Sequence, residues 1–219
     1  MTPQSVKQLY YFLLRVPMWI NGRLFRALRH PDGPIRVHLG PGKHKYLPGW
    51  VNLDANLLSA RIDLWANLRD PLPFRDGSVA TIYSHHVIEH LPDRRLPMHF
   101  REMFRVLAPG GGIRVGGPDA GNACAKFVAG DLDWFSTYPV ERGSIGGRLA
   151  NFIFCDGEHL TALSESYLRE LASAAGFVEV KRMLPCRQSE LVGREVLDLE
   201  YEDDFETPHT VIIEARKPG

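Results

Sequence analysis

Short apolar segments alternate with segments of helical periodicity along most of the chain after Pro31, and this alternation limits the possible folds most strongly. The strand-like segments cover residues 35–39, 50–54, 61–65, 79–84, 113–115, 177–183 and 209–216. Helical patterns cover residues 97–107, 119–129 and 164–175. Strands separated by helices are typical of a mostly parallel sheet, because parallel neighbours need long crossover connections. The pattern therefore predicts an α/β domain.

Length and composition set further limits. The 219 residues suit one domain with an appendage, and we assign residues 1–30 to a helical appendage and 31–219 to the domain. Residues 131–159, rich in glycine and aromatics, form a predicted insertion, and the acidic stretch 200–206 a predicted solvated loop. Lys+Arg and Asp+Glu both number 26, so no overall positive charge attracts nucleic acid, and none is expected as a partner.

The cysteines and the N-terminal segment bear on location. Cys124, Cys155 and Cys186 are widely spaced without a CxxC pair, which favours a reducing cytoplasm over a disulfide framework. Residues 9–20 are apolar but interrupted by Arg15 and Pro17, so they are too short to span a bilayer. With five basic residues in 1–30, the segment suits a helix at the inner face of a membrane. The alternative is a helix that caps the core or forms a homodimer contact, and Pro17 favours that alternative.

A glycine turn and an acid mark the first candidate site. The first strand ends in Gly40-Pro41-Gly42, and the second ends in Asp54. Ligands of open α/β sheets bind beyond the carboxyl ends of the strands, where glycines allow close backbone approach. A carboxylate at the next strand end can accept two hydrogen bonds from a ribose diol. A nucleoside ligand is predicted, whereas the missing third glycine disfavours a dinucleotide.

Four segments occur in an order that resembles a known family. They are "HLGPGKHKYLPGWVNLD", "DPLPFRDGSVATIYSHHVIEHL", "FREMFRVLAPGGGIRV" and "HLTALSESYLRELASAAGF". Together they resemble the class I S-adenosylmethionine-dependent methyltransferases, in particular the compact bacterial group related to methyltransferase type 11. The resemblance implies a Rossmann-like, mostly parallel seven-stranded sheet with one antiparallel strand, the last, and helices on both faces. It also implies S-adenosyl-L-methionine as cofactor.

The resemblance assigns roles to individual residues. Gly40 and Gly42 would line the methionine and ribose part of the cofactor, and Asp54 would hold the ribose hydroxyls. The adenine would be read by Asn67 and Leu68. Ser84 and His85 would face the sulfonium. Two residues depart from the family pattern: His38 stands where an acid is frequent, and His44 stands at the third position of the glycine motif.

Methyl transfer to a hydroxyl requires removal of a proton, and histidine titrates in the range that suits this task. Three histidines are candidates for the catalytic base: His86 and His90 match the family's "H..EH" pattern, and His159 lies in "GEHLTAL". Each has a structural alternative, as a capping, packing or loop residue. A metal interpretation of the cluster His85, His86, Glu89 and His90 lacks an HExxH-type spacing, so no metal is predicted.

The preferred hypothesis is O-methylation of a glycan or small-molecule hydroxyl. Aromatic residues of the insertion, such as Trp134 and Phe152, would wall the acceptor pocket or form the core of a small lid. A cofactor-binding regulatory or scaffold protein without catalysis is the main alternative, favoured by the two departures from the motif. A nicotinamide-dependent oxidoreductase and an RNA methyltransferase are weaker alternatives.

Overall fold

A computed structural model describes residues 4–29, 31–58 and 60–219. Its centre is a seven-stranded sheet with strand order β3-β2-β1-β4-β5-β7-β6. The strands are β1 Ile35–Leu39, β2 Val51–Asp54, β3 Leu64–Trp65, β4 Val79–His85, β5 Leu107–Pro118, β6 Val178–Met183 and β7 Thr210–Arg216. The last strand runs antiparallel to both of its neighbours, and the β1–β5 pairs are parallel. The predicted fold class is confirmed.

Helices surround this sheet: α1 Gln4–Leu24, α2 Leu96–Val106, α3 Ala120–Ala129, α4 Ile145–Phe154, α5 Glu165–Ala175 and the short α6 Arg194–Leu197. Ser164 begins α5 by accepting a hydrogen bond from Tyr167 N, and Gly176 ends it in the left-handed region at φ 101°. The apolar faces of α2 and α5 pack together against the sheet, with Phe100, Met103 and Leu168 fully buried.

The fifth strand is much longer than the predicted segment 113–115. Residues Gly112 to Pro118 pair with β7, and the register runs without interruption from Gly112↔Arg216 to Pro118↔Thr210. Glycines dominate this segment because the sheet leaves little room beside it. A Cβ added at Gly116 would lie 2.6 Å from the carbonyl oxygen of Val211. The glycine run that looked like the end of a helix is therefore largely strand.

The N-terminal helix packs on the domain through one face. Met18 and Phe25 are buried, and the Tyr10 hydroxyl donates to the Ala55 carbonyl at 2.7 Å. The helix continues through Pro17, which is exposed. Residues 1–3 and 30 of the predicted appendage lie outside the described residues. Within the described part of the chain, no helix has the length and apolarity needed to cross a membrane.

The prediction that residues 200–206 form a solvated loop is wrong for two of its acids. The side chain of Glu200 is fully buried and accepts two hydrogen bonds of 2.8 Å from the Arg114 guanidinium. Glu214 accepts a third from the same group at 2.9 Å. Glu202 is buried as well, beside His209. Charged partners distant in sequence offset the cost of burying these carboxylates, so the acidic pattern did not indicate exposure.

Candidate functional site

The ends of β1, β2 and β4 meet at one edge of the sheet, where Leu39 pairs with Leu53 on one side and Ser84 on the other. Gly40 and Gly42 follow, both in the left-handed region at φ 69° and 56°. A Cβ at Gly40 would lie 2.3 Å from Val87 Cγ2, whereas nothing lies within 4 Å of one at Gly42. Gly40 is thus required for packing, and Gly42 leaves open space for a ligand.

Asp54 ends β2 next to this glycine turn. Its Oδ2 accepts a hydrogen bond from Gly42 N at 3.2 Å, and its Oδ1 accepts one from Asn56 N at 2.8 Å. Burial raises the pKa of Asp54, although these backbone donors oppose the shift. Each carboxylate oxygen has two lone pairs, so a ribose diol can still donate to the pair. The structure therefore places Gly42 and Asp54 together, as the nucleoside hypothesis requires.

The predicted adenine-reading residues Asn67 and Leu68 follow β3, whose Trp65 pairs with Asp54. Asn67 lines a separate cavity of about 240 Å³ beneath α1, together with Met18 and Gly22. Its Oδ1 accepts a hydrogen bond from Arg69 N at 3.0 Å. Leu68 packs against the main core. The structure does not bring this pair into the large cavity described next.

A cavity of about 870 Å³ lies beyond the ends of β4 and β5. Its floor is formed by Lys45, His85, His86 and Pro118, and its walls come from two segments, the predicted insertion and the loop before β7. These walls comprise Asp133, Trp134, Phe135, Ser136, Tyr138, Asn151, Phe152, Cys155, His159, Tyr201, Glu202, Asp203, Asp204, His209 and Thr210. The cavity is large enough for a drug-sized molecule.

His85 lines this floor as a neutral ring. Burial, with smaller contributions from His86 and Lys45, holds the pKa of His85 well below its usual value. Lys45 Nζ lies 3.4 Å from His85 Nδ1. An ammonium group only donates, so Nδ1 accepts and Nε2 carries the proton. Among the described residues Nε2 has no hydrogen-bond partner, and the buried Ser84 Oγ has none either. The buried Nε2–H of His85 is therefore an unsatisfied donor at the edge of the cavity.

His86 and Glu89 form the most unusual pair of the site. His86 has φ 55°, in the left-handed region that is uncommon for a residue with a Cβ, and its side chain is 40% exposed. Its Nδ1 lies 3.3 Å from Oε1 of Glu89, whose side chain is 1% exposed. Its Nε2 lies 3.4 Å from Thr210 Oγ1. The imidazole is thus held between a buried carboxylate and the cavity.

The Glu89 carboxylate itself is poorly satisfied. Neither oxygen makes a well-aligned hydrogen bond among the described residues. Burial alone would raise the pKa of Glu89, but contacts with His86 and the charge of His90 hold it below its usual value. Gly117 leaves the space for this group, because a Cβ there would lie 3.0 Å from Glu89 Oε2. A buried anion without full hydrogen bonding requires a neighbouring cation.

The three predicted catalytic histidines surround Glu89. Ligand-type atoms of Glu89, His90 and His159 lie within 4.8 Å of one another, a spacing that could hold a metal ion. His90 Nδ1 lies 2.9 Å from the Glu158 carbonyl, and His159 Nδ1 lies 3.3 Å from that of Ile153. Burial lowers the pKa of His159. His86 and His159 line the cavity, whereas His90 is absent from its lining.

Several residues of the cavity were missed in the sequence. His209 stacks on Trp134 with ring centroids 4.2 Å apart. Its Nδ1 lies 2.9 Å from Glu202 Oε1 and its Nε2 lies 2.7 Å from the Trp134 carbonyl. Both neighbours only accept, so both nitrogens must donate. Burial opposes the charge, yet these acceptors raise the pKa of His209. Lys45 and Thr210 carry no motif signal and gain a role only from the fold.

The two departures from the family pattern leave the glycine turn open. His38 is buried, its Nδ1 lies 3.3 Å from Asn52 Oδ1, and burial lowers its pKa to about 4. It is therefore a neutral core residue. His44 is exposed. Neither departure removes Gly42 or Asp54 from the site.

Comparison with known proteins agrees with this geometry. Residues 54–115 match the sequence model of the family described as Methyltransferase domain. No curated protein sequence matches this chain significantly. The fold is similar to that of an S-adenosylmethionine-dependent methyltransferase from Archaeoglobus fulgidus, which is 19% identical, with a TM-score of 0.53 over 95% of this chain and 100% of that one.

Two further structures share the fold. A possible histamine N-methyltransferase from Thermotoga maritima is 18% identical, with a TM-score of 0.52 over 98% of this chain and 96% of that one. Phosphoethanolamine N-methyltransferase 2 of Haemonchus contortus, solved with phosphomonomethylethanolamine and S-adenosylhomocysteine, is 11% identical, with a TM-score of 0.51 over 99% of this chain and 58% of that one. The domain match and the fold confirm the predicted resemblance, with its enzyme class and its cofactor.

Proposed function

We propose that this S-adenosylmethionine-dependent methyltransferase modifies a hydroxyl group of a glycan or small molecule, with His86 as the general base. The observation that carries the proposal is the position of His86. Its Nδ1 lies 3.3 Å from a buried carboxylate, and its ring lines the cavity, where Nε2 lies 3.4 Å from Thr210 Oγ1. A base oriented by a second group is the usual arrangement where a hydroxyl must be activated.

The cofactor residues fit the nucleoside. Gly42 provides open space at the strand ends, Asp54 offers its carboxylate to the ribose hydroxyls, and the donor at His85 Nε2 has no protein partner among the described residues. When bound, S-adenosylmethionine supplies an electrophilic methyl group on a sulfonium. Gly40 keeps the turn close to Val87 and fixes the position of this loop. Asn67 and Leu68 remain a prediction for the adenine.

The proton follows a defined path in this proposal. The acceptor hydroxyl enters the cavity and donates a hydrogen bond to the lone pair of His86 Nε2. As the oxygen bonds to the methyl carbon, its proton passes to Nε2. The resulting imidazolium pairs through Nδ1–H with the buried Glu89 carboxylate, which stabilises the new charge. Alignment and the exclusion of water by the cavity walls supply the remaining rate acceleration.

The cavity walls support the acceptor class. Tyr138 and Phe152 line the cavity with ring surface, and polar groups lie around them, a combination that suits a sugar ring. The carboxylates of Asp133, Asp203 and Asp204 also line the cavity. They would repel the phosphates of a nucleic acid, in agreement with the balanced charge of the whole chain.

The test is transfer of a labelled methyl group from S-adenosylmethionine to a panel of monosaccharides, oligosaccharides and small hydroxylated compounds. We expect at least one hydroxyl compound to accept the label, and His86→Gln to reduce turnover about 100-fold without loss of cofactor affinity. Exclusive methylation of amines would refute the acceptor class. Binding of the cofactor without turnover across the panel would favour the regulatory or scaffold alternative.

The location remains a prediction. Among the described residues no disulfide joins Cys124, Cys155 or Cys186, which is compatible with a cytoplasmic protein. The homodimer contact and the peripheral membrane contact of the N-terminal segment both remain predictions.

A further inference from the structure

The N-terminal helix α1 has two apolar faces, and the domain covers one. The covered face carries Met18 and, just beyond the helix end, Phe25, which are 1% and 6% exposed. The other face and the turn that follows it present eight large apolar side chains that are each 46% to 79% exposed. These are Leu9, Phe12, Leu13, Val16, Trp19, Ile20, Leu24 and Leu28. Most of them recur every three or four residues, so they form one continuous stripe.

The charged side chains of residues 1–30 are all basic. Lys or Arg occupies positions 7, 15, 23, 26 and 29, and the first acidic residue of the chain is Asp32. The whole chain has a formal net charge of zero, so the excess of positive charge is local. Arg15 pairs with Asp70 at 2.9 Å and Arg26 lies 3.7 Å from Asp76, but their side chains are still 64% and 43% exposed.

We propose that this stripe docks on the surface of a bilayer containing anionic phospholipids. The apolar side chains would enter the boundary between headgroups and acyl chains, and the basic side chains would contact anionic headgroups. Trp19, 52% exposed with the Arg23 guanidinium 4.9 Å from its ring centroid, has the amphipathic character of interfacial aromatic residues. The helix lies on the membrane, because it lacks the apolar length to cross it.

Other occupants fit less well. Two copies paired through this stripe would bring their excess positive charges together, whereas an anionic surface complements them. A nucleic acid would complement the charge but would leave the apolar side chains without a matching surface.

The inward face of α1 bears Tyr10, whose hydroxyl is hydrogen-bonded to the Ala55 carbonyl next to Asp54. Docking through the opposite face therefore need not disturb the cofactor residues.

The experiment measures sedimentation of the full chain with vesicles of phosphatidylcholine, with and without phosphatidylserine. We expect binding to the mixed vesicles and at least tenfold weaker binding to phosphatidylcholine alone. Val16→Glu should abolish binding, while Val128→Glu, at a position 84% exposed on α3, should leave it unchanged. Arg23→Gln should weaken binding about fivefold, the effect of one basic residue near an anionic surface.

A fluorescence measurement identifies the bound face. Mixed vesicles should shift the emission of the native protein to shorter wavelength, and Trp19→Phe should remove this shift while sedimentation persists. Equal thermal unfolding of Val16→Glu and the native chain shows that folding is intact. Failure of the native chain to sediment with the mixed vesicles would overturn the proposal. So would a native chain that forms a dimer disrupted by Val16→Glu, or that binds nucleic acid in place of vesicles. None of these readouts requires methyl transfer, so they test docking independently of catalysis.

Discussion

Two groups of buried charged side chains, one around Arg114 and one around Glu89, differ in how completely they are hydrogen-bonded. Around Arg114, Glu200 and Glu214 every charged group has hydrogen-bond partners: the guanidinium binds both carboxylates, Cys186 N donates to Glu200, and Ser189 and Glu190 donate to Glu214. Around Glu89, by contrast, both carboxylate oxygens lack well-aligned donors among the described residues. Both groups are buried, but only the second has members, His86 and His159, that line the large cavity.

This difference in hydrogen bonding indicates that the group around Arg114 has a structural role and leads us to propose a functional role for the group around Glu89. A fully satisfied buried ion group contributes a fixed geometry, and removing one member leaves the others as uncompensated charges. In the proposed function, the incompletely satisfied carboxylate beside the cavity-lining histidine stabilises the charge that forms on this histidine during the reaction. The predictions below test this distinction.

The largest expected effect is on stability. Arg114→Met leaves two carboxylates buried without their cation and should lower the free energy of unfolding by about 3–5 kcal/mol. Lys181→Met is the matched control, because its pair with Glu190 is about half exposed, and it should leave the midpoint of urea unfolding nearly unchanged. Urea unfolding of both variants measures this difference. Equal losses would contradict the comparison.

The second prediction concerns the Glu89 group, where we expect a loss of turnover without a loss of stability. Glu89→Gln should reduce turnover about 100-fold, because the imidazolium at His86 loses its anion, and it should leave the free energy of unfolding within about 1 kcal/mol of the native value. Glu200→Gln should do the opposite, lowering stability while the turnover of the folded fraction is retained. Urea unfolding and initial rates are measured on both variants. The distinction would be lost if Glu89→Gln were inactive only because it unfolds.

The third and smallest effect concerns His209, which resembles the Arg114 group because its partners satisfy both ring nitrogens. Its raised pKa means that the protonated ring stabilises the folded chain below its ordinary pKa, and that this contribution is lost as pH rises through the folded pKa. His209→Gln should therefore cost about 1–2 kcal/mol near pH 6 and much less near pH 9. Urea unfolding at both pH values tests this, and a constant cost would contradict it.

The fold was largely predictable from the sequence, since strand and helix periodicity is local. β1 matches its predicted bounds, and most other elements differ by one or two residues at each end. The fifth strand was underestimated, because the glycines that resemble a helix stop continue into the sheet. A Cβ at Gly111 would lie 2.8 Å from the Ala80 carbonyl oxygen of β4, and one at Gly112 would lie 3.0 Å from the Ala215 carbonyl oxygen of β7. The helix α4 inside the predicted insertion was also missed, as its glycines and aromatics hide the pattern.

The candidate site was predictable as a set of residue types but not as an arrangement. The sequence identified His86, His90 and His159, yet it did not show that they surround Glu89, since His159 is 70 positions from that residue. The burial of Glu200 depends on Arg114, 86 positions away. Thr210 and Lys45 gain importance only where separate strands and loops meet. Long-range contacts of this kind leave no periodic trace in one sequence.

The central claim is that the cofactor nucleoside binds between the glycine turn and Asp54, with His86 on the acceptor side. Calorimetric titration with S-adenosylhomocysteine tests it on the native chain, Asp54→Ala and His86→Gln. We predict that Asp54→Ala loses at least tenfold in affinity and that His86→Gln binds as the native chain does. Native affinity in Asp54→Ala, or a greater loss in His86→Gln, would contradict the assignment.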